Sequence, residues 1–302
     1  MDSEALELLD AGADAWNLHR VLHAEWAPHL AGLNLHSRSL SGINLEGLNL
    51  TGANLAGADL TSARLSETIL LRANLAEAIL YRADLMSADL LGANLAGADL
   101  SDALLSGAHL KGANFAGARL HRAQLAEGPS SRGNTIGAAA CPVCAAERAD
   151  FSGADGSGMD MNNSSLVGAI LERGIFRRAN FAGSELKSAK LSGADFTGAD
   201  FTGAMLAYAD LSACRLREAK LLRADLYAAH LENTDLTAAD LTEADLFGAR
   251  IRNTNFRHAT FTGANLFRAV FRDCDCEGAD FTGANLRGVA FHTSSGAPRR
   301  PR

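Results

Sequence analysis

The chain repeats every five residues, and that period limits what it can fold into. From Leu30 to Leu125 every fifth residue is Leu, except Phe115, and most residues two before it are Ala. Gly52-Ala53-Asn54-Leu55-Ala56-Gly57-Ala58-Asp59-Leu60 reads as A-(D/N)-L-x-x. On an α-helix a five-residue step advances about 140°, which would smear the leucines around the circumference. On a flat strand an odd step puts successive leucines on opposite faces. The chain must therefore turn once per repeat. Leu (position i) and Ala (i−2) face inward from a short extended side, and i−1 faces out. Positions i+1 and i+2 make a corner, where Gly, Ser and Glu are common.

The outward positions give the number of sides. Asn34, Asn54, Asn74, Asn94 and Asn114 form one column at a spacing of 20 residues, so four sides make a coil and the coil is square. Stacked Asn side chains can form an amide ladder along such a column. Charges alternate at the same spacing in Arg82, Asp102 and Arg122, in Asp195, Arg215 and Asp235, and in Asp200, Lys220 and Asp240. Opposite charges therefore stack where like charges would repel.

The A-(D/N)-L-x-x tract resembles the bacterial pentapeptide-repeat family. The resemblance implies an all-β solenoid, a right-handed quadrilateral (four-sided) parallel β-helix, and Leu8-Leu9-Asp10-Ala11-Gly12 with Ala15-Trp16-Asn17 resembles the helical leader of some members. Residues 1–27 lack the period and read as an N-terminal α-helical cap. Gly12 divides two short helices, Asp14 is placed to cap the second, Leu18, Val21 and Leu22 share one face, and Trp16 and Trp26 serve as bulky plugs. The first repeat block spans 28–125, a loop insertion with a CxxC pair spans 126–150, and the second block spans 151–292. In that block Leu and Phe alternate at the centre after weak repeats around Gly156 and Met161. A disordered basic tail is expected over 293–302.

No apolar run approaches the roughly 18 residues of a spanning helix, so no membrane association is expected. Met1-Asp2-Ser3-Glu4 lacks the positive start of a secretory signal, and the expected location is cytoplasmic. Of five cysteines, Cys214 and Cys274 take the Ala position and Cys276 a centre, which suits reduced core thiols.

Little in the chain points to catalysis. Cys141 and Cys144 have metal-ligand spacing, but a second CxxC is missing, and His121 or another chain would have to complete a zinc site. His19 and His23 lie four apart with Arg20 where a zinc-protease motif carries Glu. Nearly every Asp belongs to the repeat at i−1. No phosphate loop or nucleophile elbow is present, and the reading is of a non-enzyme without cofactor.

Partner-binding candidates come from the exceptions. Tyr227, Phe247 and Phe267 occupy i+1 at successive spacings of 20, with Tyr208 nearby, and form an outward aromatic column. Leu71 and Leu91, beside Ile69, form a smaller apolar column. Arg250, Arg252, Arg257, Arg268 and Arg272 cluster, with Glu232 and Glu277 a coil away from Arg252 and Arg257. The sequence thus points to a rigid scaffold that binds a protein partner or a second copy of itself. The resemblance implies an alternative, a DNA-mimicking modulator of gyrase or topoisomerase of the quinolone-resistance type, which Arg215, Lys220 and Arg250 in the columns disfavour. Direct nucleic-acid binding is not expected of a chain with net charge −7.

Overall fold

The computed structural model describes residues 3–125, 145–296 and 298. The chain divides into two compact units, Met1–Asp155 and Gly156–Arg302.

The first unit opens with helices α1 (Ser3–Ala11) and α2 (Ala13–Leu22). Square coils follow, and one repeat shows how each is built. The Ala53 N–H donates to the Leu50 carbonyl at 3.0 Å and closes a turn through Thr51 and Gly52. Only the second turn residue has positive φ (Gly52, 64°), which is the type II pattern. Ala53 and Leu55 then point inward and are fully buried, with Asn54 half-buried outside. Each side is stitched to the next coil by bonds such as Leu55 N–H to Asn74 O (2.7 Å), Asn74 N–H to Ala53 O (2.9 Å) and Gly57 N–H to Ala76 O (2.8 Å). Parallel bridges join Asn34, Asn54 and Asn74 at the 20-residue interval. Non-glycine residues such as Glu67 (φ 57°) and Arg72 (φ 53°) accept the same left-handed corner geometry, at about 1 kcal/mol each.

Helix α2 closes the start of the wall. A first coil has no coil below it, so its outer backbone groups lack the ladder partners that later coils have. Trp16 Nε1 donates to the Asn44 carbonyl (2.7 Å), Arg20 Nη2 donates to the Glu46 carbonyl (2.8 Å), and Asn44 N–H donates to Asn17 Oδ1 (2.7 Å). These contacts fix the rotation of the helix. Leu18, Val21 and Leu22 share a face, but it turns to solvent: they are 61%, 76% and 67% exposed, while Trp16 is fully buried. Only the Trp16, Asn17 and Arg20 side can satisfy the bare edge, so the aliphatic side turns to solvent. Asp14 does not cap α2, since Gly12 holds the N-cap position and no side chain bonds there. Trp26 is half-buried and meets Trp16 edge-on at 4.9 Å.

The insertion adds length to a single coil. His109, Asn114 and Arg119 pair with Ala145, Asp150 and Asp155 at an interval of 36 instead of 20. Sixteen extra residues are three repeats plus one, which accounts for the one-residue slip in phase. The wall resumes at Ala145, inside the segment read as loop to 150, and Phe151 stacks on Phe115 at 4.9 Å.

The second unit begins with Gly156 at a centre position. A Cβ there would lie 2.2 Å from Met159 Sδ and 2.8 Å from Phe176, so the large side chain has moved to the neighbouring Ala position. Most sides carry one bridging residue. One face is regular enough to form strands β1 (His230–Glu232), β2 (Arg250–Arg252), β3 (Val270–Arg272) and β4 (Ala290–His292), paired parallel in that order. Inside, phenylalanines stack coil on coil: Phe176 on Phe196 (5.3 Å), Phe181 on Phe201 (5.0 Å) and Phe261 on Phe281 (4.8 Å). Ser295 N–H donates to the Cys274 carbonyl (2.9 Å) and Cys276 N–H to the Ser295 carbonyl (3.0 Å). The wall therefore reaches Ser295, three residues into the expected tail, and residues 297 and 299–302 lie outside the described residues.

Candidate interaction surface

The outward i−1 side chains do local work first. Asp59 Oδ1 accepts the Thr61 N–H (3.0 Å), and Asn74 Oδ1 accepts the Ala76 N–H (3.3 Å). This i to i+2 bond is an Asx turn and explains why Asp or Asn precedes many of the corners. The sequence reading treated these residues only as columns, although Asp or Asn ahead of a corner was the available signal. Across coils, the Nδ2 groups of Asn54, Asn74 and Asn94 each donate to the preceding Asn34, Asn54 and Asn74 Oδ1 at 3.1 Å, and Asn114 continues the ladder to Asn94 at 3.2 Å.

The charged columns are partly cross-linked. Arg122 grips Asp102 with two bonds of 2.7 Å. Asp195 is held more closely by Arg177 (2.8 Å), on an adjacent row, than by Arg215 of its own column (3.8 Å). Burial alone would raise the Asp195 pKa, but the Thr197 hydroxyl and N–H and the Arg177 guanidinium outweigh it and leave the carboxyl below its ordinary value. Asp200 follows the same logic with Thr202 and Lys220.

The aromatic column lies on one corner of the second unit. Tyr208, Tyr227, Phe247 and Phe267 follow one another at 5.4 Å between centroids, with Tyr227 and Phe247 nearly coplanar in stack (12°). Tyr208 is 53% exposed, Tyr227 is 38% exposed, and the two phenylalanines are half-buried. Tyr208 meets Tyr227 edge-on (74°) and Phe267 is tilted against Phe247 (46°), so only the Tyr227–Phe247 pair stacks face to face. Arg268 caps the end of the column, its Cζ 5.2 Å from the Phe267 centroid. Three residues beyond each ring come His230, Arg250 and Val270, on strands β1 to β3. They line an open groove of about 400 Å³ with Glu232, Arg252 and Arg272. Arg257 pairs with Asp275 (3.1 Å) and Glu277 (2.5 Å), and Arg252 reaches Glu232 at 3.9 Å. Arg250 and Arg272 make no ion pair among the described residues. In the first unit Leu91 is exposed and Leu71 half-buried on successive coils.

Cys214, Cys274 and Cys276 are core groups. Cys214 and Cys276 are buried free thiols whose pKa burial pushes up to about 12, so neither forms a thiolate at neutral pH. Cys214 Sγ donates to the Leu191 carbonyl (3.0 Å), as the hydroxyls of Thr68 and Thr234 do to Leu45 (3.0 Å) and Leu211 (2.9 Å) at the same inward position. Cys141 and Cys144 lie outside the described residues. His19 and His23 place their rings 4.3 Å apart, and no cluster of three metal-ligating side chains occurs among the described residues. No helix among them is long and apolar enough to cross a membrane.

The architecture is a four-sided parallel β-helix that carries its variable chemistry on the outside of the wall. Eight copies of the family pattern described as pentapeptide repeats match residues 29–66, 53–92, 68–107, 93–127, 144–178, 179–217, 224–263 and 249–288. The chain belongs to the pentapeptide-repeat family, whose members form right-handed quadrilateral β-helices. Among solved structures it is similar to HetL, a pentapeptide repeat protein involved in heterocyst differentiation regulation in the cyanobacterium Nostoc sp. strain PCC 7120. That match is 28% identical over 91% of this chain and 92% of that one, with a TM-score of 0.29. QnrB1, a plasmid-mediated fluoroquinolone resistance protein, is 18% identical over 88% and 90%, with a TM-score of 0.32. A pentapeptide repeat protein of the Arabidopsis thaliana thylakoid lumen is 37% identical over 39% of this chain and 68% of its own, with a TM-score of 0.16. No curated protein sequence matches the chain.

Proposed function

We propose that the protein is a non-enzymatic, cytoplasmic scaffold that acts by protein–protein contact along a stiff wall, with Tyr208, Tyr227, Phe247 and Phe267 as its main partner surface. The observation that carries this reading is the continuous aromatic column, half-exposed beside two arginines that make no ion pair among the described residues. Rings that pack on one another from coil to coil suit side-chain packing by a protein, whereas sequence-tolerant nucleic-acid binding uses free ring faces for base stacking. The apolar pair Leu71 and Leu91 is a secondary contact. Non-catalytic action is supported by the carboxylates: those at i−1 are engaged by corner N–H groups, as at Asp59, Asp195 and Asp240, and the second-unit groove is open. Gyrase modulation by DNA mimicry has less support, because Arg177, Arg215 and Lys220 neutralise the acidic columns of the second unit.

Affinity purification from the native cell tests the proposal. The wild-type chain should capture a defined protein, and Phe247→Ser/Phe267→Ser should lose it with the far-UV CD spectrum unchanged. Equal capture by both chains would remove the column from the interface. Inhibition of DNA supercoiling by stoichiometric protein would replace the proposal with the gyrase reading.

A further inference from the structure

Two of the exposed apolar surfaces differ in charge. The first is the exposed face of α2, where Leu18, Val21 and Leu22 stand at i, i+3 and i+4 and so form one stripe. Acidic residues surround it. Residues 3–25 contain Glu4, Glu7, Asp10, Asp14 and Glu25 against Arg20 alone. Asp10 is paired with Arg38 and Glu4 lies near His19, whereas Glu7, Asp14 and Glu25 make no ion pair among the described residues. The second surface is the aromatic column, bordered by Arg250, Arg268 and Arg272. The units as wholes are unequal in the same sense: Met1–Asp155 has 18 acidic and 10 basic residues, and Gly156–Arg302 has 17 and 18.

The dimensions also match. At about 4.8 Å per coil the column from Tyr208 to Phe267 rises about 14 Å. Ten residues of α-helix, the length of α2, rise about 15 Å. The Leu18–Leu22 stripe itself rises about 6 Å, so it covers about one coil interval, and the rest of the helix length spans the other rings.

We infer that α2 of one copy docks on the Tyr208–Phe267 corner of a second copy, Leu18, Val21 and Leu22 packing against the rings and the acidic flank of the helix facing Arg250 and Arg272. This inference rests on the reading of the column as a protein-binding surface and names its occupant. The two surfaces are different patches of the same chain, so each copy offers both halves of the contact.

Complementation in sedimentation velocity tests it on the full chain. Wild-type protein should form assemblies that grow between about 5 and 200 μM, a range suited to a small interface, and 0.5 M salt should shrink them because part of the attraction is ionic. Leu18→Ser/Val21→Ser and Arg250→Glu/Arg272→Glu change exposed side chains only. Each alone should stay folded by CD and associate at least about tenfold more weakly. Mixed in equal amounts, the helix variant still offers an intact corner and the arginine variant an intact helix, so the mixture should stop at dimers. Wild-type protein that stays monomeric, a mixture that stays monomeric, or a helix variant that assembles like wild type would each overturn the inference. If the wild type is monomeric while Phe247→Ser/Phe267→Ser still loses a captured protein, the occupant is wrong and the proposed function stands. Competition of assembly by single-stranded oligothymidylate would instead assign the corner to nucleic acid and overturn both.

Discussion

The two units use one backbone and two chemistries. In Met1–Asp155 the centres are Leu over Ala, with one stacked aromatic pair, Phe115 on Phe151, and the most regular outer column is a neutral amide ladder. In Gly156–Arg302 phenylalanines stack through the core, and the wall carries ion-paired columns and the aromatic corner. The spacing of 20 and the corner geometry are the same in both. The difference teaches that positions i and i−2 answer only to the volume of the tube, while i−1 and i+1 are free once the Asx bond at the corner is made. Both units use that freedom for ion pairs, such as Arg122 with Asp102 and Arg177 with Asp195, but the continuous Asn ladder is in unit one and the aromatic corner in unit two.

The core contrast should give the largest effects. Phe196 meets Phe176, Phe201 and Phe181 at 5.3, 5.2 and 5.7 Å, so Phe196→Ala should cost about 3–5 kcal/mol in urea unfolding followed by CD. Leu75→Ala in the first unit should cost about 2–4 kcal/mol. Equal losses would mean that stacking contributes nothing beyond the volume removed.

The amide ladder should come next. Asn74→Ala removes the bonds to Asn54 and from Asn94 (both 3.1 Å) and the Ala76 corner bond (3.3 Å). A loss of about 1–2 kcal/mol is expected. Asn74→Asp should lose about half of that, because a carboxylate still accepts from Asn94 and Ala76. The second unit already uses this arrangement where Asn180 donates to Asp160 and Asn265 to Asp245, each at 2.9 Å. If Asp proves as costly as Ala, the amide chain is more cooperative than its separate bonds.

Acid titration separates the units further. The folded pKa of Asp195 is depressed, so the stability it contributes is fully present above its unfolded value, about 3.9, and is lost as pH falls through the folded value. Asp195→Asn should therefore cost about 1 kcal/mol at pH 7 and progressively less below about pH 4. Chemical denaturation at several pH values measures this. A deficit independent of pH would assign the effect to packing. The Asn ladder, having no titratable group, should show no such slope.

Much of this was legible in the residues. The five-residue period gave the turn, and the spacing of 20 gave the square coil, because every inward position obeys the same volume limit. The direction of α2 was not legible. Leu18, Val21 and Leu22 form the better apolar stripe, but the bare carbonyls of Asn44 and Glu46 decide which face turns in, and no pattern within the helix records them. The split of the arginine cluster was legible in part, since Glu232 and Glu277 stand a coil away from Arg252 and Arg257 and those pairs form. Arg257 finds Asp275 and Glu277, whereas Arg250 and Arg272 have Val270 and the groove for neighbours, a matter of which row each side chain leans toward.

The smallest effect sharpens what burial adds to a charged column. Arg223 Nε donates to Glu243 at 2.6 Å, shorter than the 2.8 Å between Arg177 and Asp195, yet the Arg223 and Glu243 side chains are 68% and 52% exposed against 9% for Asp195. Water and salt screen the exposed pair, and ordering two long side chains offsets much of the attraction. Glu243→Gln should leave the melting temperature unchanged at physiological salt, while Asp195→Asn lowers it under the same conditions. If the two substitutions shift it equally, bond length rather than burial governs the wall. The charged columns of the second unit would then stabilise it along their whole length instead of at the few carboxylates withdrawn from solvent.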